Sequence, residues 1–192
     1  MPSEREKMLQ GQLYQAWDPE LSELRERAHQ ACHQYSSSAG CNDAKKAILQ
    51  EQLPSNQGDW YIEPPFFCDY LVNLHLGKNV YLNADCTILD CAAVHLGDEV
   101  KIGPKVQIYT ATHPIDPATR AAGPELAHPI KIGSRVWIGG GSIILPGVTI
   151  GDDTVIGAGS VVTKDIPPSV VAAGNPCRVI RSINDDNLNH SR

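Results

Sequence analysis

The residue best suited to chemistry in this chain is a histidine at a break in an otherwise regular pattern. His113 stands in Ile108–Pro117, IYTATHPIDP, and is followed directly by proline. An imidazole has a pKa near 6.5, so at neutral pH it can accept a proton from an attacking hydroxyl and later return it to a leaving group. A lone histidine is also a common surface residue, and the residue alone does not separate the two roles. Two further histidines, His75 and His95, precede His113 by 38 and 18 residues. Three imidazoles form the ligand set of a catalytic zinc, so a zinc-dependent hydration enzyme is a second reading. The six cysteines (Cys32, Cys41, Cys68, Cys86, Cys91 and Cys177) include no C-x-x-C pair. Zinc-ribbon and thioredoxin-like chemistry therefore lack their motifs, and free buried thiols in a reducing compartment are expected.

Size and charge narrow the field. A chain of 192 residues suits one domain with a small appendage. Its formal charge is −6 and its pI about 5.6. Neutralising nucleic-acid phosphates needs a clustered basic surface, and no such run occurs. The charged start MPSEREKMLQ has no apolar leader-like stretch, and no apolar run approaches a membrane span. The expectation is a cytoplasmic protein that binds neither nucleic acid nor membrane.

The elements that must position His113 fall into two blocks. Residues 1–58 read as a helical cap. Met8, Leu9, Leu13 and Tyr14, then Leu21, Leu24, Ala28, Ala31, Cys32 and Tyr35, recur at near-helical intervals. Asp18-Pro19 between them reads as an N-cap followed by the first helical position. SSSAG reads as a loop and NDAKKAILQEQL as a third helix. Residues 59–185 follow a period of six, and 186–192 form a tail. Aliphatic residues stand at 76, 82 and 88, at 96, 102 and 108, and at 132, 138, 144, 150, 156 and 162, often followed by glycine. A six-residue period is neither helical nor simple alternation, and it describes the flat walls of a parallel β-solenoid. Glycine is expected to supply the positive φ of the corners.

The interruptions carry information. The step from Ile88 to Leu96 is eight residues, read as Val94-His95 added at a corner. The step from Ile108 to Ile132 is 24, so the wall resumes in phase after an excursion over 114–129. Four prolines there oppose sheet pairing. Ordered excursions of this length usually serve as lids or binding arms.

Several stretches together resemble the maltose and galactoside O-acetyltransferases among the hexapeptide-repeat acyltransferases. They are EREKMLQGQLY, CDYLVNLHLG, YTATHPIDP and VWIGGGSIILPGVTIGDDTVIGAGSVVTKDIPPSVVAAGNPCRVIR. The resemblance implies a mainly β fold, a left-handed parallel β-helix of 18 residues per coil under an α-helical cap. It further implies a homotrimer using acetyl-CoA, with each active site between two subunits and no metal. His113 matches the family's catalytic general base, in direct transfer from acetyl-CoA to a sugar hydroxyl such as that of maltose or glucose. Asn83 matches an asparagine whose amide donates to the developing oxyanion. Arg25 matches an arginine near the acceptor. Glu125 matches an acidic position that orients the histidine or contacts the acceptor, against the plainer reading of a solvated loop carboxylate.

Two departures bear on the acceptor. Asp90 precedes the position of a substrate-binding aspartate in the galactoside branch, and Cys91 occupies that position here. Ala16 stands where that branch has a second acceptor-contacting aspartate. Both lean towards the maltose branch. On the coenzyme side, Gly140 and Ala158 match positions whose backbone groups bond the pantetheine arm. Thr163, Lys164, Arg178 and Arg181 match positions near the nucleotide phosphates, where cations give charge-assisted hydrogen bonds. Transfer to a non-sugar hydroxyl and a non-catalytic solenoid scaffold are the remaining alternatives.

Overall fold

The computed structural model describes residues 1–37, 43–54 and 59–183. Cys41, the 38–40 part of SSSAG, the 58/59 boundary and the 186–192 tail lie outside the described residues. From Trp60 the chain winds through three parallel walls. The first wall stacks Trp60–Ile62, Val80–Leu82, Lys101–Ile102, Trp137–Ile138, Val155–Ile156 and Val170–Ala173. The second stacks Phe66–Cys68, Cys86–Leu89, Gln107–Tyr109, Ile143–Ile144 and Val161–Val162. The third stacks Leu74–Leu76, Val94–Leu96, Ile130–Ile132 and Thr149–Ile150. One reversed strand, Arg178–Ser182, pairs antiparallel with Val170–Ala173. This is the parallel β-solenoid expected from the repeat, the left-handed β-helix that the resemblance implies.

Each strand is short because only two side chains per hexad point inward. Leu82, Ile102, Ile138 and Ile156 form one such ladder and are essentially inaccessible. Buried hydroxyls at the fifth hexad position bond to backbone carbonyls, Ser142 to Gly139 and Gly157 at 2.7 and 3.1 Å and Ser160 to Gly157 at 2.5 Å. Among the described residues no buried side-chain nitrogen or oxygen lacks a partner.

Glycine supplies positive φ at Gly141, Gly147 and Gly159, as expected, but the glycines that follow the aliphatic hexad starts do a different job. Positive φ is found two residues further on, at Asn79, Asp85, Glu99, Lys105, Arg135 and Asp153. Glycines 77, 97, 103, 133, 139, 151 and 157 have ordinary φ, yet each lies against the next coil. A Cβ on Gly97 would sit 2.7 Å from the Ser134 nitrogen, and one on Gly139 would sit 2.5 Å from the Ala158 nitrogen. Close stacking of backbones, not corner conformation, selects glycine there.

Pair registers locate the changes of coil length at one corner. Lys101 pairs with Trp137 and Gln107 with Ile143, a step of 36 residues, whereas Trp137 pairs with Val155 and Ile143 with Val161, a step of 18. Between the second and third walls the first two coils each carry two extra residues, and the third carries the excursion. Val94 and His95 belong to the third wall itself, so the added pair in that coil lies in residues 90–93 instead. There the turn needs room for a buried aspartate, described below.

Cap helices α1 (Glu4–Leu9), α2 (Pro19–Ser37) and α3 (Asp43–Gln50) do two packing jobs. Ala28, Ala31, Cys32 and Tyr35 of α2, with Leu49 and Leu53, continue the solenoid core past Trp60 and Ile62, plugging its end. The Tyr35 hydroxyl donates to the Ile62 carbonyl. Met8, Tyr14, Ala16 and Leu21 form a second cluster with Tyr70, Cys91, Ala92 and Ala127, covering the irregular corner. The first helix is shorter than the periodicity suggested. Gly11 turns the chain at φ 68°, and Tyr14 forms a β-bridge to Glu125 instead of a helical turn. Asp18 caps α2 as expected, its Oδ1 accepting from the Glu20 N–H at 3.0 Å. The excursion contains α4 (Pro117–Ala121), capped by the Asp116 carboxylate on the Thr119 N–H at 2.7 Å.

Candidate active site

His113 follows the strand Ala111–Thr112, which pairs antiparallel with Leu126–Ala127 as the excursion leaves and returns. The imidazole is exposed, as a base reached by a diffusing substrate must be. Its position is fixed from below by backbone. Thr110 donates its N–H to Leu89, and its hydroxyl bonds the Leu89 carbonyl at 2.6 Å and the Ala92 N–H at 2.9 Å.

Glu125 lies at the root of the returning strand, beside Leu126, which pairs with Thr112. It is half-buried and is not a freely solvated loop carboxylate. The Tyr14 hydroxyl donates to its Oε2 at 2.9 Å, and the two backbones exchange N–H···O bonds at 3.1 and 3.0 Å. This ties the cap to the strand that carries His113. Burial, with the nearby thiol and carboxylate, raises the Tyr14 phenol far above its ordinary pKa, so it remains a donor.

Arg25 points from α2 into the same corner. Its Nη1 donates to the Tyr70 hydroxyl at 2.6 Å, and its guanidinium lies over both Tyr70 and Trp17, 5.6 and 5.5 Å from the ring centroids. Asp90 is fully buried. Its Oδ1 accepts the Tyr70 N–H at 2.7 Å and its Oδ2 accepts the Asn73 N–H at 3.2 Å, while the Asn73 amide donates to its carbonyl at 2.8 Å. From there it braces the corner behind the site, where a bound sugar would not reach it. Burial pushes its carboxyl up to about 6, outweighing the donors that favour the charged form. Cys91 is buried between Tyr14 and Tyr70, its Sγ 3.8 Å from Asp69. Burial raises its thiol well above the ordinary range, which makes it filler rather than a nucleophile.

Asn83 lies elsewhere. It follows the first-wall strand Val80–Leu82, at the corner between first and second walls, with Oδ1 accepting the Ala84 N–H at 2.8 Å. Directly along that corner stack Gly103, then Gly139 and Gly140, then Gly157 and Ala158. This column is nearly free of side chains, as an extended pantetheine arm requires, and Gly140 is packed against the Pro104 carbonyl. Thr163 and Lys164 are exposed just past the second-wall strand Val161–Val162. The Cys177 N–H bonds the Val161 carbonyl at 2.8 Å, bringing the run into Arg178 beside them. Arg178 and Arg181 are both exposed on the reversed strand. Within one chain, then, Arg25, Glu125 and His113 gather at one corner, and Asn83, Gly140 and Ala158 at another.

The zinc reading fails on register. His75 and His95 do stack, with centroids 4.3 Å apart, but the next place in their ladder is Lys131, and His113 is not on that wall. Burial lowers both imidazole pKa values, for His75 with the charge of His95 and for His95 with that of Lys131. Among the described residues no group of three His, Cys, Asp or Glu could hold a metal. The five described cysteines are free and buried. Sequence reasoning read Tyr14 only as a helix-face position and passed over Trp17, Asp69 and Tyr70, although CDY and an aromatic directly before a helix cap were signals for them.

Residues 7–55 match the maltose acetyltransferase hexapeptide capping motif, and 129–164 match the bacterial transferase hexapeptide model of six repeats. The chain is 49% identical over 182 residues to a putative acetyltransferase of Saccharomyces cerevisiae, covering 94% of this chain and 93% of that one. It overlays the crystal structure of a maltose O-acetyltransferase from Clostridium difficile at a TM-score of 0.91 and 48% identity, covering 94% and 97% of the two chains. It also overlays galactoside acetyltransferase in complex with coenzyme A at a TM-score of 0.93 and 41% identity, covering 100% and 96%. Capping motif, repeats and corner geometry together show that the chain belongs to the maltose and galactoside O-acetyltransferase family of hexapeptide-repeat acetyltransferases.

Proposed function

We propose that this protein transfers the acetyl group of acetyl-CoA to a hydroxyl of a sugar such as maltose or glucose. The observation that carries the reading is the exposed His113, which follows a strand paired with the returning end of the excursion, where Glu125 is tied to the cap through Tyr14. His113 removes the proton from the sugar hydroxyl as its oxygen attacks the thioester carbonyl. The tetrahedral oxyanion is met by the Asn83 amide, and the proton returns to the departing thiolate. The coenzyme arm lies along the Gly103–Gly140–Ala158 column, with Thr163, Lys164, Arg178 and Arg181 at its phosphate end.

Asn83 and His113 occupy different corners of one chain, so a complete site takes His113 from one subunit and Asn83 from a neighbour. A cyclic homotrimer of this triangular solenoid meets that requirement. The cytoplasm, where acetyl-CoA is available, is the natural compartment for such an enzyme. Buried Asp90 and filled Cys91 favour the maltose over the galactoside branch.

The test is thiol release from acetyl-CoA with glucose, maltose, a galactoside, serine and water as acceptors. Release with glucose or maltose above the serine and water controls supports the reading. Release only with serine would move the protein to a non-sugar acceptor class.

A further inference from the structure

Trp17 is 81% exposed, an unusual setting for the largest apolar side chain, yet its backbone is held on both sides. The Asp18 N–H donates to the Gln15 carbonyl at 3.1 Å, and Asp18 then caps α2. One face of the indole takes the Arg25 guanidinium, which is itself fixed by the Tyr70 hydroxyl. The remaining ring surface looks onto a groove of about 620 Å³ along α2, lined with Ser22, Arg25, Glu26, His29 and His33. A flat aromatic surface flanked by planar and hydroxylic polar groups matches a pyranose ring, which has an apolar C–H face and a polar rim.

The groove shares Arg25 with the candidate active site, and a relay of contacts links Arg25 to the strand that leads to His113. Arg25 bonds Tyr70, Tyr70 packs with Tyr14 in one cluster, Tyr14 bonds Glu125, and the next residue pairs with the strand leading to His113. We propose that Trp17 and this groove form a second sugar subsite, so that the acceptor is an oligosaccharide with at least one ring beyond the acetylated one. This rests on the acceptor reading given above and specifies its substrate class. The subsite contributes binding and no chemistry, so it acts on KM of the longer acceptor more than on kcat.

The experiment compares maltotriose and cellotriose with glucose, in the wild type, Trp17→Ala and Trp17→Phe. The ratio of kcat/KM for the preferred trisaccharide to that for glucose should fall about tenfold in Trp17→Ala, the scale of one lost ring contact. Most of it should return in Trp17→Phe, with the change carried by KM. Equal loss on trisaccharide and glucose, or no loss on either, would overturn the subsite. So would a changed native mass in Trp17→Ala, since the indole would then belong to a subunit contact. If the wild type acetylates no sugar, the acceptor reading itself falls, and calorimetric titration still decides the groove. Trisaccharide binding weakened in Trp17→Ala keeps it, whereas absent or unaltered binding removes it.

Discussion

The two working corners of the solenoid are built on opposite plans. Between the first and second walls, successive coils place nearly bare backbone directly on backbone, with Cβ atoms excluded at Gly103, Gly139 and Gly157. Between the second and third walls, the coils carry insertions whose side chains meet the cap through Tyr70, Cys91 and Glu125, while Asp90 braces the turn from within. A column of backbone offers the same groups in every coil and suits a long, constant ligand such as a coenzyme arm. A corner of side chains can be varied residue by residue and suits the part of the reaction that differs among relatives.

The sharpest way to separate the corners is to remove chemistry from one while leaving the other untouched. His113→Ala should lower turnover by roughly 10²–10⁴-fold with melting temperature and coenzyme affinity unchanged, because the imidazole is exposed and packs against no core. Thiol release, thermal melting and coenzyme titration read the three quantities, and turnover within tenfold of wild type would reject the base.

The converse change is Gly139→Ala. The added methyl meets backbone of the next coil at 2.5 Å, so it should destabilise by about 1–3 kcal/mol, an overpacking cost that neighbouring backbone cannot relieve by rotation. It should also weaken coenzyme binding, because the column must widen. Unaltered stability would show that the coils are not held as closely as the contacts require.

The smallest effect concerns pH. The folded state raises the Asp90 carboxyl to about 6, above its unfolded value, so the folded state holds this proton more tightly. The linked stabilisation is full below pH ~4 and is lost as pH rises through about 6. Asp90→Asn imitates the protonated side chain and has no such proton. The difference in melting temperature, wild type minus variant, should therefore decline between pH 4 and pH 6.5. A flat difference would mean that the N–H donors of Tyr70 and Asn73 offset burial completely.

The regular corner was readable in the sequence because repetition itself is the signal. Hexads at 96 to 108 and 132 to 162 predicted the walls and their registers. The positive φ expected of glycine holds at Gly141, Gly147 and Gly159, but the glycines after the aliphatic starts are selected for another reason, since sequence shows that a Cβ is absent but not which coil it would strike. The irregular corner was legible only in part. His113 and Glu125 stood out by position, yet the Tyr14–Glu125 bridge joins residues 111 apart and has no local signature. The resemblance puts Asp90 in substrate binding, from its place beside the aspartate position of the galactoside branch, and a strand's end gives no hint that its turn folds inward. His75 and His95 looked like part of a triad because the spacing of 18 to His113 suggested a coil, and the 24-residue step put Lys131 in the third place.

The backward strand Arg178–Ser182 has a consequence for growth of the assembly. A stack of parallel coils presents a hydrogen-bonding edge onto which another coil, or another molecule's coil, could add. Pairing Val170–Ala173 with a strand of opposite direction, shifted in register between Val171 and Ala172, replaces that edge with one a parallel coil cannot match. The reversal thus acts as a terminator for the first wall, limiting polymerisation there as the helical plug does at the opposite end.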